Sequence, residues 1–160
     1  MSKTYKLILA INLVLVLGLF SFSVIKKETL LNNGREILLR LAPVDPRSLM
    51  QGDYMRLDYQ ILRQIDYEEN STNKYIVVKV GSDNVAEYVR VQNDKNLSEG
   101  ELLIRYKEEE WTRRIGAENY FFQEGTGEKY ADAEYGLIKV DADGNCMLIG
   151  LCNSDKQLIK

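Results

Sequence analysis

Hydrophobic positions fall into two regimes along this chain. From Leu7 to Ile25 they run almost unbroken (LILAINLVLVLGLFSFSVI), with no formal charge and Asn12 as the only strongly polar side chain. Helical geometry stretches such a run to about 28 Å, close to a hydrocarbon core of about 30 Å. Tyr5 on one side and Lys26-Lys27 on the other stand where interfacial anchors belong. The segment reads as an uncleaved membrane anchor occupying residues 1–27, contacting lipid through residues 7–25. A signal peptide cut after Ser23 is the alternative; the long apolar run and the lack of an A-x-A site favour the anchor.

Beyond Lys27 the pattern shortens to alternations and brief apolar runs, as in strands. A polar stretch, Glu28 to Arg35, leads into Glu36–Leu41. The turn Asp45-Pro46-Arg47-Ser48 follows. Tyr54–Leu62 alternates with period two: Met55, Leu57, Tyr59 and Ile61 on one face, Tyr54, Arg56, Asp58 and Gln60 on the other. Lys74–Val80 and Val85–Val91 flank Gly81-Ser82-Asp83-Asn84 as a hairpin. Glu101–Tyr106 and Trp111–Gln123 read as strands, and Glu128–Glu134 as a short helix with Tyr130 against the sheet. Gly136–Val140 and Cys146–Leu151, joined through Asp143-Gly144, form a closing hairpin. About eight strands at this spacing predict a mainly β domain over residues 28–160, an antiparallel barrel or sandwich.

Composition narrows the chemistry. Histidine is absent, which removes Ser-His-Asp, Cys-His and His-ligated zinc sites. After Lys27 the chain carries 17 basic and 24 acidic side chains, a net of −7, so no nucleic-acid partner is expected. Cys146 and Cys152 would be ends of one strand about 20 Å long, too far apart for a disulfide, and read as buried thiols. Asp141, Asp143 and Asn145 have alternating spacing, but the glycine falls at the wrong place for a calcium loop, so a plain turn is expected. Neither a metal nor a cofactor is expected.

The most distinctive string is Gly52-Asp53-Tyr54-Met55-Arg56-Leu57-Asp58-Tyr59. With every fixed position of G-D-Y-x-x-L-x-Y present, it resembles the bacterial GDYXXLXY family. The flanking LRLAPVDPRSLMQ, and the later Ile115-Gly116, Tyr120-Phe121 and Glu124-Gly125, fit the same resemblance. It implies a short membrane-anchored protein without established activity, with a multi-spanning membrane protein as its partner class. The preceding Ser48–Asp53 string is similar to the strand entrance of type I signal peptidases, but the nucleophile position there falls on Val44.

These readings lead to two expectations. The first is a non-enzymatic accessory or binding domain outside the cytoplasm, its amino terminus inside, docking through a surface that includes Arg47, Asp53, Tyr54, Tyr120 and Glu124. The alternative is a carboxylate-based hydrolase or small-ligand-binding domain that uses Asp53 and Glu124.

Overall fold

The computed structural model describes residues 3–42, 54–65, 74–109 and 112–160. It opens with one helix, α1 (Lys3–Asn33), long and apolar enough to cross a membrane. The helix carries on through the polar stretch from Glu28 and ends at Asn33. Glu28-Thr29-Leu30-Leu31 contains no helix breaker, and Leu30 finds a buried position, the one buried side chain of α1. Gly34 closes the helix by donating its N–H to the Leu30 carbonyl at 2.9 Å. The Lys139 ammonium donates to the Leu31 carbonyl at 2.6 Å. A cation at a helix C-terminus contributes about 0.3–1 kcal/mol, and one buried leucine roughly 2 kcal/mol. Helix and domain are therefore joined by packing, with no linker between α1 and the first strand.

That strand, β1 (Arg35–Arg40), pairs antiparallel with β9 (Tyr135–Val140), which also pairs with β10 (Cys146–Cys152). A second three-stranded sheet has β3 (Tyr75–Val80) between β4 (Ala86–Gln92) and β5 (Glu101–Arg105). Two ribbons complete the fold: β2 (Tyr54–Arg56) with β8 (Asn119–Phe121), and β6 (Lys107–Glu109) with β7 (Thr112–Arg114). The chain is thus mostly β with one long N-terminal helix. The strands form four small sheets, and none closes into a barrel among the described residues.

One core cluster unites these pieces. It takes Ile37 and Leu39 from β1, Met55, Leu57 and Tyr59 from the G-D-Y string, Ile76 and Val78 from β3, and Ile138 and Leu151 from the closing hairpin. Central β3 is buried on both faces, because Tyr75 and Val77 pack with Leu103 in a separate cluster. That explains why Tyr75–Val78 is a continuous apolar run rather than an alternation.

Three other expectations are corrected. The strand drawn over Tyr54–Leu62 ends at Arg56, and Gln60–Arg63 forms a helical turn, α2. Ile61 and Leu62 are both buried, which one face of a strand cannot provide. Trp111–Gln123 is divided between β7 and β8, because Gly116 turns the backbone with φ +84°; Trp111 itself lies outside the described residues. The helix expected over Glu128–Glu134 is a single 3-10 turn, Gly127–Tyr130. The Asp45–Ser48 turn also lies outside the described residues.

The two outer strands of the second sheet are clamped by Arg90 and Glu101, whose groups meet as a fork at 2.6 and 2.9 Å. The Arg90 guanidinium foremost, and the Ser98 N–H after it, hold the Glu101 carboxyl down at about 2 from an ordinary 4.5. A carboxyl depressed by folding stabilises above its unfolded value and loses that contribution as pH falls toward its folded value. Wild-type protein should therefore lose stability between pH 4.5 and about 2. Glu101→Gln should be less stable at neutral pH and show a flatter profile through that window, read by thermal unfolding in detergent.

Candidate functional site

The G-D-Y string occupies a seam in the fold. Gly52 and Asp53 lie outside the described residues, as does Arg47. From Tyr54 onward the segment is stitched to residues 117–121. Tyr54 lies opposite Phe121, Met55 opposite Tyr120 and Arg56 opposite Asn119. The Leu57 N–H then donates to the Glu118 carbonyl at 2.6 Å, and the Tyr59 hydroxyl to the Ala117 carbonyl at 2.5 Å. On its other side Tyr59 bridges to Leu41, and the Ala42 N–H donates to the Asp58 carbonyl at 2.8 Å.

The expected alternation of faces holds here. Met55, Leu57 and Tyr59 are buried, while Tyr54 and Arg56 are exposed. Two fixed positions of the string, Leu57 and Tyr59, are therefore consumed by the core. Burial first, then the nearby Glu118 and Cys146, push the Tyr59 hydroxyl well above its ordinary value. It stays a protonated donor at any physiological pH.

Glu118 organises the turn that receives Tyr59. Its carboxylate accepts the N–H groups of Ile115 at 2.5 Å and Gly116 at 3.1 Å. Consecutive backbone N–H groups around one anion form a small nest, and this one fixes the carbonyls that Leu57 and Tyr59 use. Sequence reasoning missed Glu118; the available signal was an acidic residue two positions after a turn glycine.

Tyr54 and Tyr120, expected on one surface, leave the ribbon on opposite faces, because neighbouring ladder positions alternate. Tyr120 turns inward, its ring edge-on to Tyr130 at 5.0 Å, with Phe122 and Tyr130 at 5.6 Å. Burial, followed by a hydrogen bond with Tyr130, raises the Tyr120 hydroxyl to about 12. Tyr54 faces outward against Phe121, ring centroids 5.9 Å apart. Phe121 is 73% exposed and Tyr54 36%. An aromatic pair so open to solvent is the surface feature sequence reasoning missed, although the i, i+2 alternation of Asn119 and Phe121 signals it. Glu124 is exposed in the turn after β8; its proposed carboxylate partner, Asp53, lies outside the described residues.

No group of three or more Asp, Glu, Cys or His side chains that could hold a metal occurs among the described residues. Asp141 spends its carboxylate on the N–H groups of Asp143 and Asn145, both at 2.9 Å, and Asp143 meets Lys95. Both cysteines are free thiols. Burial foremost, with Asp141 and Glu118 nearby, pushes Cys146 up to about 12, and burial raises Cys152. Neither is a nucleophile at neutral pH.

The profile of the GDYXXLXY protein family matches residues 16–151, from the middle of α1 into β10. No curated protein and no solved structure matches the chain.

Proposed function

The chain belongs to the GDYXXLXY family, and from that premise we propose that it is a single-pass accessory protein whose β domain sits outside the cytoplasm and docks with an integral membrane protein. The observation that carries this reading is the junction. An apolar helix of membrane-spanning length enters β1 without a linker, and Leu30 and Lys139 fasten it to the domain. A domain so joined is held within a few residues of the bilayer surface and presents one fixed set of faces to whatever shares the membrane.

Orientation follows from domain length rather than charge. Lys3 and Lys6 nearly balance Lys26, Lys27 and Arg35 across the apolar run, but long domains are exported largely regardless of flanking charge. The docking surface is the exposed pair Tyr54 and Phe121 on the outer face of the β2–β8 ribbon. Exposed aromatic side chains are the typical anchors of protein interfaces, and the fixed tyrosine Tyr54 is the described motif aromatic not consumed by the core.

Protease added outside intact spheroplasts should digest the domain and leave a membrane-embedded stub. A photo-crosslinking residue at position 121 should then give an adduct with an integral membrane protein, and the same residue at exposed Glu87 should not. Protection of the domain would refute the orientation. Adducts with lipid alone, or none, would refute the partner.

A further inference from the structure

We propose that a cavity between the end of β5, the β6–β7 ribbon and the start of β10 binds a phosphate group. The cavity is a half-open cleft of about 520 Å³, and Arg105, Lys107, Arg114, Glu118, Asn119 and Cys146 are among its lining residues. That volume suits a small phosphate ester or a lipid headgroup.

The ribbon's register supplies the first argument. Lys107 stands directly opposite Arg114, so two cations share one face. Arg105, two residues before Lys107 along an extended segment, joins them; Tyr106 between them is buried while both are exposed. The ribbon's other face is neutralised: Arg113 meets Glu108 at 3.0 Å and donates to the Ile65 carbonyl at 3.0 Å. Cations placed opposite one another on paired strands can be bridged by one anion. Arg105 and Lys107 make no ion pair among the described residues.

The single carboxylate in the wall, Glu118, is already engaged by two backbone N–H groups. A wall that holds Arg105, Lys107 and Arg114 is locally basic in a domain whose net charge after Lys27 is −7. The Asn119 side chain adds a neutral amide donor. Cationic donors around a phosphate give the strongest class of hydrogen bond available to a protein.

The place of the cavity suggests the source of the phosphate. The Arg105 N–H donates to the Gly144 carbonyl at 2.7 Å, tying β5 to the turn between β9 and β10. Val140, at the start of that same turn, lies opposite both Cys146 of β10 and Arg35, the first residue of β1 after α1. The cavity thus adjoins the end of the domain nearest the headgroups. The phosphate chemistry rests on the cavity alone; only a lipid source rests on the anchoring proposed above.

The test uses the full chain in nanodiscs and reads thermal unfolding. In one arm, zwitterionic discs receive inorganic phosphate or glycerol 3-phosphate at constant ionic strength. In the other, phosphatidic acid replaces part of the lipid. The melting temperature should rise in at least one arm, by ligand linkage. A rise with lipid only identifies a headgroup, and a rise with the soluble esters identifies a free phosphate. Lys107→Gln should weaken the response about tenfold or more, the worth of one charged hydrogen bond. Lys79→Gln, a change at an exposed β3 position away from the cavity, should keep it. Without phosphate, Lys107→Gln should melt no lower than wild type, because Lys107 is exposed and makes no ion pair among the described residues; Arg105→Gln provides a second variant. No rise in either arm, or an equal rise in both cavity variants and wild type, overturns the proposal. A response to soluble phosphate from a chain that proves not to be membrane-anchored would remove the lipid source and keep the site.

Discussion

Tyr59→Ala should cost about 3–5 kcal/mol, the range for emptying an aromatic site in a packed core. Against a typical domain stability of about 5–15 kcal/mol, that is enough to unfold much of the population. The ring is fully buried and is the largest such side chain in the described structure. It lies so close to β9 that a Cβ on Gly136 would stand 3.1 Å from it, so neighbours have little freedom to collapse into the space. Tyr59→Phe isolates the hydroxyl. It leaves the Ala117 carbonyl without its donor and should cost about 1–2 kcal/mol. Tyr106→Phe provides the contrast, because the Tyr106 hydroxyl is buried with no hydrogen-bond partner among the described residues. Removing an unsatisfied buried hydroxyl should leave stability unchanged or raise it by about 1 kcal/mol. Urea unfolding in detergent should therefore rank Tyr106→Phe at or above wild type, then Tyr59→Phe, then Tyr59→Ala. If Tyr59→Phe matched wild type, the last tyrosine of the G-D-Y string would be held for its ring alone.

The difference between these tyrosines also marks where sequence reasoning ends. Alternation along Tyr54–Leu62 correctly placed Met55, Leu57 and Tyr59 inward, because side-chain period is a local property of extended backbone. It did not show that the strand stops at Arg56, since that depends on Tyr59 meeting Leu41 and Ala117 from distant parts of the chain. Both clear hairpins were legible, because turn glycines and aspartates sit between apolar runs. The grouping of strands into four small sheets was not, because edge pairing of three-residue strands leaves no periodic trace. The candidate sites follow the same division. Tyr54 was visible as an outward motif residue, whereas its neighbour Phe121 needed the β2–β8 register. The cavity cations were missed because Arg105-Tyr106-Lys107 and Arg113-Arg114 read singly as ordinary surface charge. Only the pairing of Lys107 with Arg114 brings them to one face.

Gly144→Ala should cost about 3 kcal/mol, a large loss for one added methyl. The turn explains part of this: φ at Gly144 is +79°, a region that costs an L-residue about 1–2 kcal/mol. The rest comes from outside the turn. A Cβ at Gly144 would stand 2.9 Å from the Arg105 nitrogen and 3.3 Å from the Leu103 carbonyl oxygen. Both are backbone atoms of a paired strand, which cannot move aside as a flexible side chain would, and overpacking of this kind costs about 1–3 kcal/mol. Gly100→Ala separates the two contributions, because Gly100 has nearly the same φ, +81°, with nothing within 4 Å of an added Cβ. It should lose only the backbone share, about 1–2 kcal/mol. The two variants should also part in function. The clash at Gly144 falls on the contact through which the Arg105 N–H reaches the Gly144 carbonyl, so relief of the clash moves Arg105 relative to Asn145 and Cys146 across the cavity. Gly144→Ala should therefore lose the phosphate-dependent rise in melting temperature as well as stability, and Gly100→Ala should keep the rise from a lower starting point. Equal stability losses in the two would mean that β5 yields to the added methyl, and the cavity wall would then be softer than its hydrogen bonding requires.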